Sequence, residues 1–263
     1  MSIEVRNVRV DLPVYNANVR SLRKVLMKAT VGGAMLQSGE SKVFIRALAD
    51  VSIKIEDGDR VGLIGGNGAG KTTLLKVMAG VLTPSSGAVA VHGSVSAALN
   101  IGLGIDPEIS GRENIFLMGY YRGLTRKQIE ANIDGIVATA DLGNFINLPV
   151  MTYSAGMIGR LTFAVATAFN ADVLLMDEWL LAGDAAFMEN AFAKTVKLVE
   201  SARIVVIATH NMSAVREYCN KAVYLSGGRV LAVGTAHDIV AQYEADVHAN
   251  YLASLESARP DNI

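Results

Sequence analysis

No feature constrains this chain more than the run Gly65-Gly66-Asn67-Gly68-Ala69-Gly70-Lys71-Thr72-Thr73. It fits the phosphate-loop pattern of a glycine, four intervening residues and then Gly-Lys-Thr. In that pattern, glycines let backbone N–H groups close around phosphate oxygens without obstruction from Cβ atoms. Lys71 is then placed to reach the β- and γ-phosphates of a nucleoside triphosphate, and the Thr72 hydroxyl to hold Mg²⁺. The flanks agree: the apolar residues 61–64 predict a strand entering the loop, and Leu74, Leu75 and Met78 recur at helical spacing after it, with Gly80 a natural stop. A helix N-terminus adds partial positive charge where the phosphates would lie. A ligand-free glycine turn is the bland alternative, and the strand-loop-helix context argues against it.

The 263 residues are 51% hydrophobic, enough for a substantial core. A formal net charge of -1 argues against a broad nucleic-acid surface, so no nucleic-acid partner is expected. The single cysteine, Cys219, can make no internal disulfide, which fits a reducing compartment. The N-terminal residues lack the apolar core of a secretory signal. The most apolar long region, residues 161–182, is interrupted by Asn170, Asp172, Asp177 and Glu178, so any membrane link is expected to be peripheral.

In chain order, residues 3–12 alternate as an edge strand would, and a second strand is expected over 43–55. Between them lies a basic insertion at about 16–42. From Asn16 to Gly39 it carries Arg20, Arg23, Lys24 and Lys28 with no acidic residue, and reads as a short amphipathic helix plus a glycine-containing loop. A solvated helix and a docking element are equally consistent with that pattern. Residues 83–87 form a turn before a strand at 88–91 in a small β-rich unit. A helical lobe is expected at about 105–168, with one helix over 112–121 and another opened by a capping box at Thr125 and Gln128, burying Ile129, Ile133, Ile136 and Ala140. Ser154 is a candidate N-cap of a further helix, and Gly156 in its first turn leaves room for an anion, a weak signal by itself.

Two all-apolar runs, 173–176 and 204–208, suit central parallel strands and end in Asp177-Glu178 and Thr209-His210. Ligands of open parallel sheets bind beyond the carboxyl ends of the strands, so these polar groups are expected to converge on the phosphate loop. A terminal hairpin over 222–233 and a helix over 236–255 complete the chain.

With these residues in order, the chain resembles the ATP-binding-cassette ATPases from about Ile3 to Tyr243. The resemblance rests on the loop Gly65–Thr73, the signature-like segment Tyr153–Met157, the run ending at Asp177 and Glu178, the following Gly183-Asp184, and His210. It implies an α/β fold: a phosphate-loop ATPase core with a mostly parallel central sheet, a small antiparallel β unit and an inserted helical lobe, all within one nucleotide-binding domain, 1–263. It also implies ATP and Mg²⁺ as ligands and a head-to-tail homodimer, in which Ser154 and Gly156 meet the γ-phosphate held by the partner subunit. By the same resemblance Asp177 holds Mg²⁺ through water, Glu178 polarises the attacking water, His210 senses the γ-phosphate and Asp184 couples the two sites. The adenine-stacking aromatic is Tyr15, with Phe44 the alternative.

Departures from the general pattern narrow the group. Ala155 replaces a glycine, Met157 replaces a glutamine, and residues 99–106 contain no glutamine, leaving Asn100 as the nearest substitute. Together with Gly102, Gly104, Pro107, Gly111, Asn114 and the basic insertion, the segments 153–157 and 177–184 resemble ATPase subunits of bacterial polysaccharide exporters. That likeness implies a peripheral protein at the cytoplasmic face of the inner membrane, serving a separate polytopic transporter subunit that carries a lipid-linked, O-antigen-like glycan. Another exported substrate, such as a lipid, teichoic acid or drug, is the alternative. Only some twenty residues follow the recognisable cassette, so a separate carbohydrate-binding domain of roughly 100 residues is not expected.

Overall fold

The computed structural model describes residues 1–14, 34–38, 42–98, 104–169, 171–177 and 185–257. It is α/β and divides into two compact units: Ser2–Val91 with Val206–Ile263, and His92–Val205 with Met1.

In the first unit, β4 (Arg60–Ile64) enters the phosphate loop with its last four residues buried, as a strand covered on both faces must be. The helix after the loop, α1 (Lys71–Met78), buries Leu74, Leu75, Val77 and Met78. It stops at Gly80, whose φ of 72° is left-handed. β4 pairs in parallel with β9 (Lys221–Ser226), which forms the expected antiparallel hairpin with β10 (Arg229–Thr235). The last three residues of the fully buried β8 (Ile204–Ala208) also belong to this unit. The helices α7 (Met212–Tyr218) and α8 (Ala236–Ser257) are tied by Arg216, which donates to Glu244 at 2.6 Å.

A small antiparallel sheet corrects one expectation. β1 (Ser2–Val14) is not an edge: it lies between β3 (Lys42–Glu56) and β5 (Ser86–His92). Alternation reports one buried face, here Ile3, Val5, Val8 and Val10, and is silent on how many neighbours a strand has. Residues 34–38 of the insertion are a second correction, since they form β2 (Ala34–Ser38), antiparallel to β3, where a loop was expected. The β1–β3 register shifts around Asn7, whose left-handed φ of 48° is held by hydrogen bonds with Ser52.

In the second unit β6 (Val95–Ala98) runs parallel to β7 (Val173–Asp177). Its helices are α2 (Gly111–Tyr121), α3 (Arg126–Glu130), α4 (Ile133–Ala140), α5 (Ala155–Thr167) and α6 (Ala185–Ser201). Ile115, Ile129, Ile136, Leu161 and Val165 are fully buried together. The capping box at Thr125 and Gln128 is present, but the single helix expected after it is two. The Asn132 side chain donates to the Gln128 carbonyl at 2.8 Å, and this local bond competes with continuation of the helix. A second capping box, Ser110 with Glu113, opens α2. Its bonds to Ser110 hold the Glu113 carboxyl below its usual range. Among the described residues no helix is long and apolar enough to cross a membrane.

Candidate functional site

The phosphate loop is shaped from below. A Cβ on Gly65 (φ 143°) would lie 2.1 Å from the Leu225 carbonyl oxygen, and one on Gly70 (φ 102°) would lie 2.7 Å from that of Ala47. Backbone from β9 and β3 presses directly on the loop, and only glycine fits those two corners. On the outer side Gly66, Asn67 and Gly68 are exposed, and a Cβ on Gly66 would meet nothing within 4 Å. Ala69 is buried and donates its N–H to the Gly66 carbonyl at 3.2 Å.

A residue that the sequence reading missed supports this floor. The turn after β9 reads as a plain hairpin reversal, yet the Gly228 N–H donates to the Ala69 carbonyl at 3.1 Å, and its own carbonyl accepts from Ala49 at 2.8 Å. A Cβ there would meet the Ala47 carbonyl oxygen at 2.7 Å. The only sequence signal is a second glycine in the turn, which a hairpin explains equally well.

Gly70 caps α1 without any side-chain bond to its N-terminus. The Lys71 ammonium donates to the carbonyls of Gly65 at 2.7 Å and Gly66 at 3.1 Å. Thr72 and Thr73 are half-buried in the first helical turn. An exposed backbone cradle, a helix N-terminus and one ammonium suit an anion, and the Thr72 hydroxyl suits a place in the coordination shell of Mg²⁺. The residues present fit a polyphosphate with its metal.

His210 stands at the same end of the sheet. Thr209, after β8, donates its N–H to the Leu63 carbonyl of β4 at 3.3 Å, and the Asn211 side chain caps α7 by accepting from Ala214 at 3.1 Å. His210 is exposed between these two anchors.

In the other unit the Ser154 hydroxyl accepts from the Met157 N–H at 3.2 Å and caps α5, as expected. Gly156 has open space: a Cβ there would meet only the Ser154 hydroxyl, at 3.8 Å. Tyr153 just before it is buried, donates to the Phe145 carbonyl at 2.6 Å, and has its phenol pushed up by burial. Asp177 ends β7, half-buried after four buried residues. Phe44 is half-buried in β3, opposite Pro13 and Leu36. Tyr15, Asn100, Glu178, Asp184 and the four cations Arg20, Arg23, Lys24 and Lys28 lie outside the described residues.

Comparison with known proteins follows the same motifs. The family described as ABC transporter matches residues 48–181. The O-antigen export system ATP-binding protein RfbE of Yersinia enterocolitica is 41% identical over 229 residues, covering 87% of this chain and 96% of that protein. RfbB of Myxococcus xanthus, also an O-antigen export system ATP-binding protein, is 41% identical over 214 residues, 81% of this chain but only 48% of that longer protein. Among solved structures, an ATP-binding cassette captured as a dimer after hydrolysis with ADP and phosphate matches with a TM-score of 0.64 at 20% identity, covering 89% of this chain and 98% of that one. That likeness concerns the fold. With a loop shaped for phosphate, a helix capped at Ser154 and relatives of this similarity, the chain belongs to the ABC transporter family.

Proposed function

We propose that this protein is the ATPase subunit energising export of a lipid-linked, O-antigen-like polysaccharide through a separate polytopic membrane subunit, working as a homodimer at the cytoplasmic face of the inner membrane. The Yersinia and Myxococcus relatives, both O-antigen export system ATP-binding proteins, support the substrate class. The cradle of Gly65–Thr73 carries the chemistry, because it offers backbone donors, an ammonium and a hydroxyl on one rigid floor.

In this reading the N–H groups of Gly65, Asn67, Gly68, Ala69, Gly70, Lys71, Thr72 and Thr73 hold the phosphates, the Ala69 N–H exchanging the Gly66 carbonyl, and the Lys71 ammonium its two carbonyl partners, for phosphate oxygens. Thr72 and Asp177 hold Mg²⁺, whose contribution is to neutralise charge that develops on the leaving oxygens. Glu178 orients and polarises the attacking water, and His210 contacts the γ-phosphate. Ser154 and Gly156 complete the partner's site, Asp184 couples the two sites, and Tyr15 stacks on adenine. Residues at about 105–168 form the inserted helical lobe, and the basic segment docks on the membrane or the transporter subunit.

Glu178→Gln tests the core of this reading. A positioned carboxylate base is worth roughly 10² to 10⁴-fold in rate, so phosphate release should fall by that factor while Mg-ATP still binds and traps a dimer. Near-normal phosphate release would remove Glu178 from the role.

A further inference from the structure

Asn114 is fully buried near the start of α2, yet it is polar and far along the chain from every residue assigned to nucleotide chemistry. Its amide nitrogen donates to the carbonyls of Asp106 at 2.8 Å, Ser110 at 3.0 Å and Ile109 at 3.3 Å, and its amide oxygen accepts from the Asp106 N–H at 2.8 Å. The side chain thus closes residues 106–110 into a ring. Three carbonyls face one end of the amide and an N–H faces the other, so the network fixes which end is nitrogen.

The outer side of that ring holds the approach to the signature helix. The Pro107 carbonyl accepts from Met151 at 2.8 Å, the Ile109 carbonyl from Val150 at 3.0 Å, and the Leu148 carbonyl from Gly111 at 3.2 Å. The Ile109 carbonyl is therefore shared between Asn114 and the segment that leads to Ser154. Tyr153 bears on the same point: its hydroxyl bonds to Phe145, and a Cβ on Gly111 would lie only 2.3 Å from it.

We infer that Asn114 is a positioning residue for the signature segment: it acts through the 106–110 ring and residues 148–151 to fix Ser154 and Gly156 where they can meet the nucleotide of a partner subunit. The inference rests on the proposed head-to-tail dimer. A buried, fully bonded amide suits this task because a misplacement of about 1 Å at a reacting group costs about 10²-fold in rate.

Two variants separate positioning from folding. Asn114→Asp keeps the shape and replaces the donor end with a carboxylate oxygen that faces three carbonyl acceptors; Tyr153→Phe keeps the ring and removes only the hydroxyl. With full-length protein, kcat should fall by about 10²-fold for the first and about 5-fold for the second, while Mg-ATP affinity of the isolated subunit stays within about twofold.

Complementation in mixed dimers then reads the role itself. A subunit carrying Asn114→Asp has an intact phosphate loop, and one carrying Lys71→Ala has an intact signature, so a mixed dimer contains one sound site. Mixing two inactive preparations should restore roughly a quarter of wild-type ATPase activity, because about half of randomly assorted dimers are mixed and each holds one working site of two. Ser154→Arg mixed with Lys71→Ala is the control. If the control recovers activity and Asn114→Asp does not, Asn114 does not act through the signature. If the control also fails, the shared site of the proposed dimer is wrong and the inference falls with it. A loss of ATP affinity in the isolated Tyr153→Phe subunit would overturn it as well.

Discussion

The phosphate loop and the signature helix are both glycine-containing helix starts, and they use glycine for opposite reasons. At Gly65 and Gly70 backbone stands so close that a side chain has nowhere to go, and no side chain caps the helix that follows. At Gly156 the space is empty and the helix is already capped by Ser154. The first glycines are demanded by the fold; the second is demanded by nothing among the described residues of its own unit. A glycine that its own structure does not require is a better pointer to an external ligand than one that packing explains.

Substitutions can break that contrast. Gly65→Ala should be the most damaging, at about 3 kcal/mol, because left-handed strain adds to a clash with backbone that cannot rotate away. Chemical denaturation measures it, and an unchanged midpoint would mean the floor is soft. Lys71→Ala should follow: losing a charge-assisted partner costs about 2 kcal/mol, or roughly 30-fold in Mg-ATP affinity by equilibrium titration. Gly156→Ala should leave stability equal or raised by about 0.5 kcal/mol, as alanine favours a helix, while ATP turnover falls about tenfold. Lost stability at Gly156 would erase the difference between the regions.

The smallest effect concerns the packing under the strand that feeds the loop. A Cβ on Gly62 would lie 2.7 Å from Val215 and 3.5 Å from the Cys219 sulfur, and burial pushes that thiol from 9.0 up to about 12. The folded state therefore keeps its proton where the unfolded state loses it, so this group's contribution to stability falls as pH rises from about 9 toward 12. At pH 8 a thiol reagent should label Cys219 only after denaturation. Rapid labelling of the native protein would show that the floor opens readily.

What the sequence reveals is local. The phosphate loop, the apolar strands before Asp177 and His210, and the cap at Ser154 each fall within a few consecutive residues whose spacing encodes their geometry. What it hides depends on partners distant along the chain: β5 beside β1, or Gly228 beneath Ala69. Asn114 belongs to the second class, since only the folded ring around it explains a buried amide. The break at Asn132 and the capping box at Ser110 are intermediate, because the residue types were in view and their side-chain bonds decided the outcome.

Gly228 also bears on how the protein can be handled. Hairpin tips are the usual places to graft a tag or insert a reporter domain. Here the tip is bonded on one side to the loop proposed to hold phosphate and on the other to β3, so an insertion between Gly227 and Gly228 should be felt as a nucleotide-binding defect. The turn at Gly123, exposed and with nothing within 4 Å of a Cβ built on it, is the safer graft point. A change in the length of the 226–229 turn would disturb the same two bonds, from Gly228 to Ala69 and from Ala49 to Gly228.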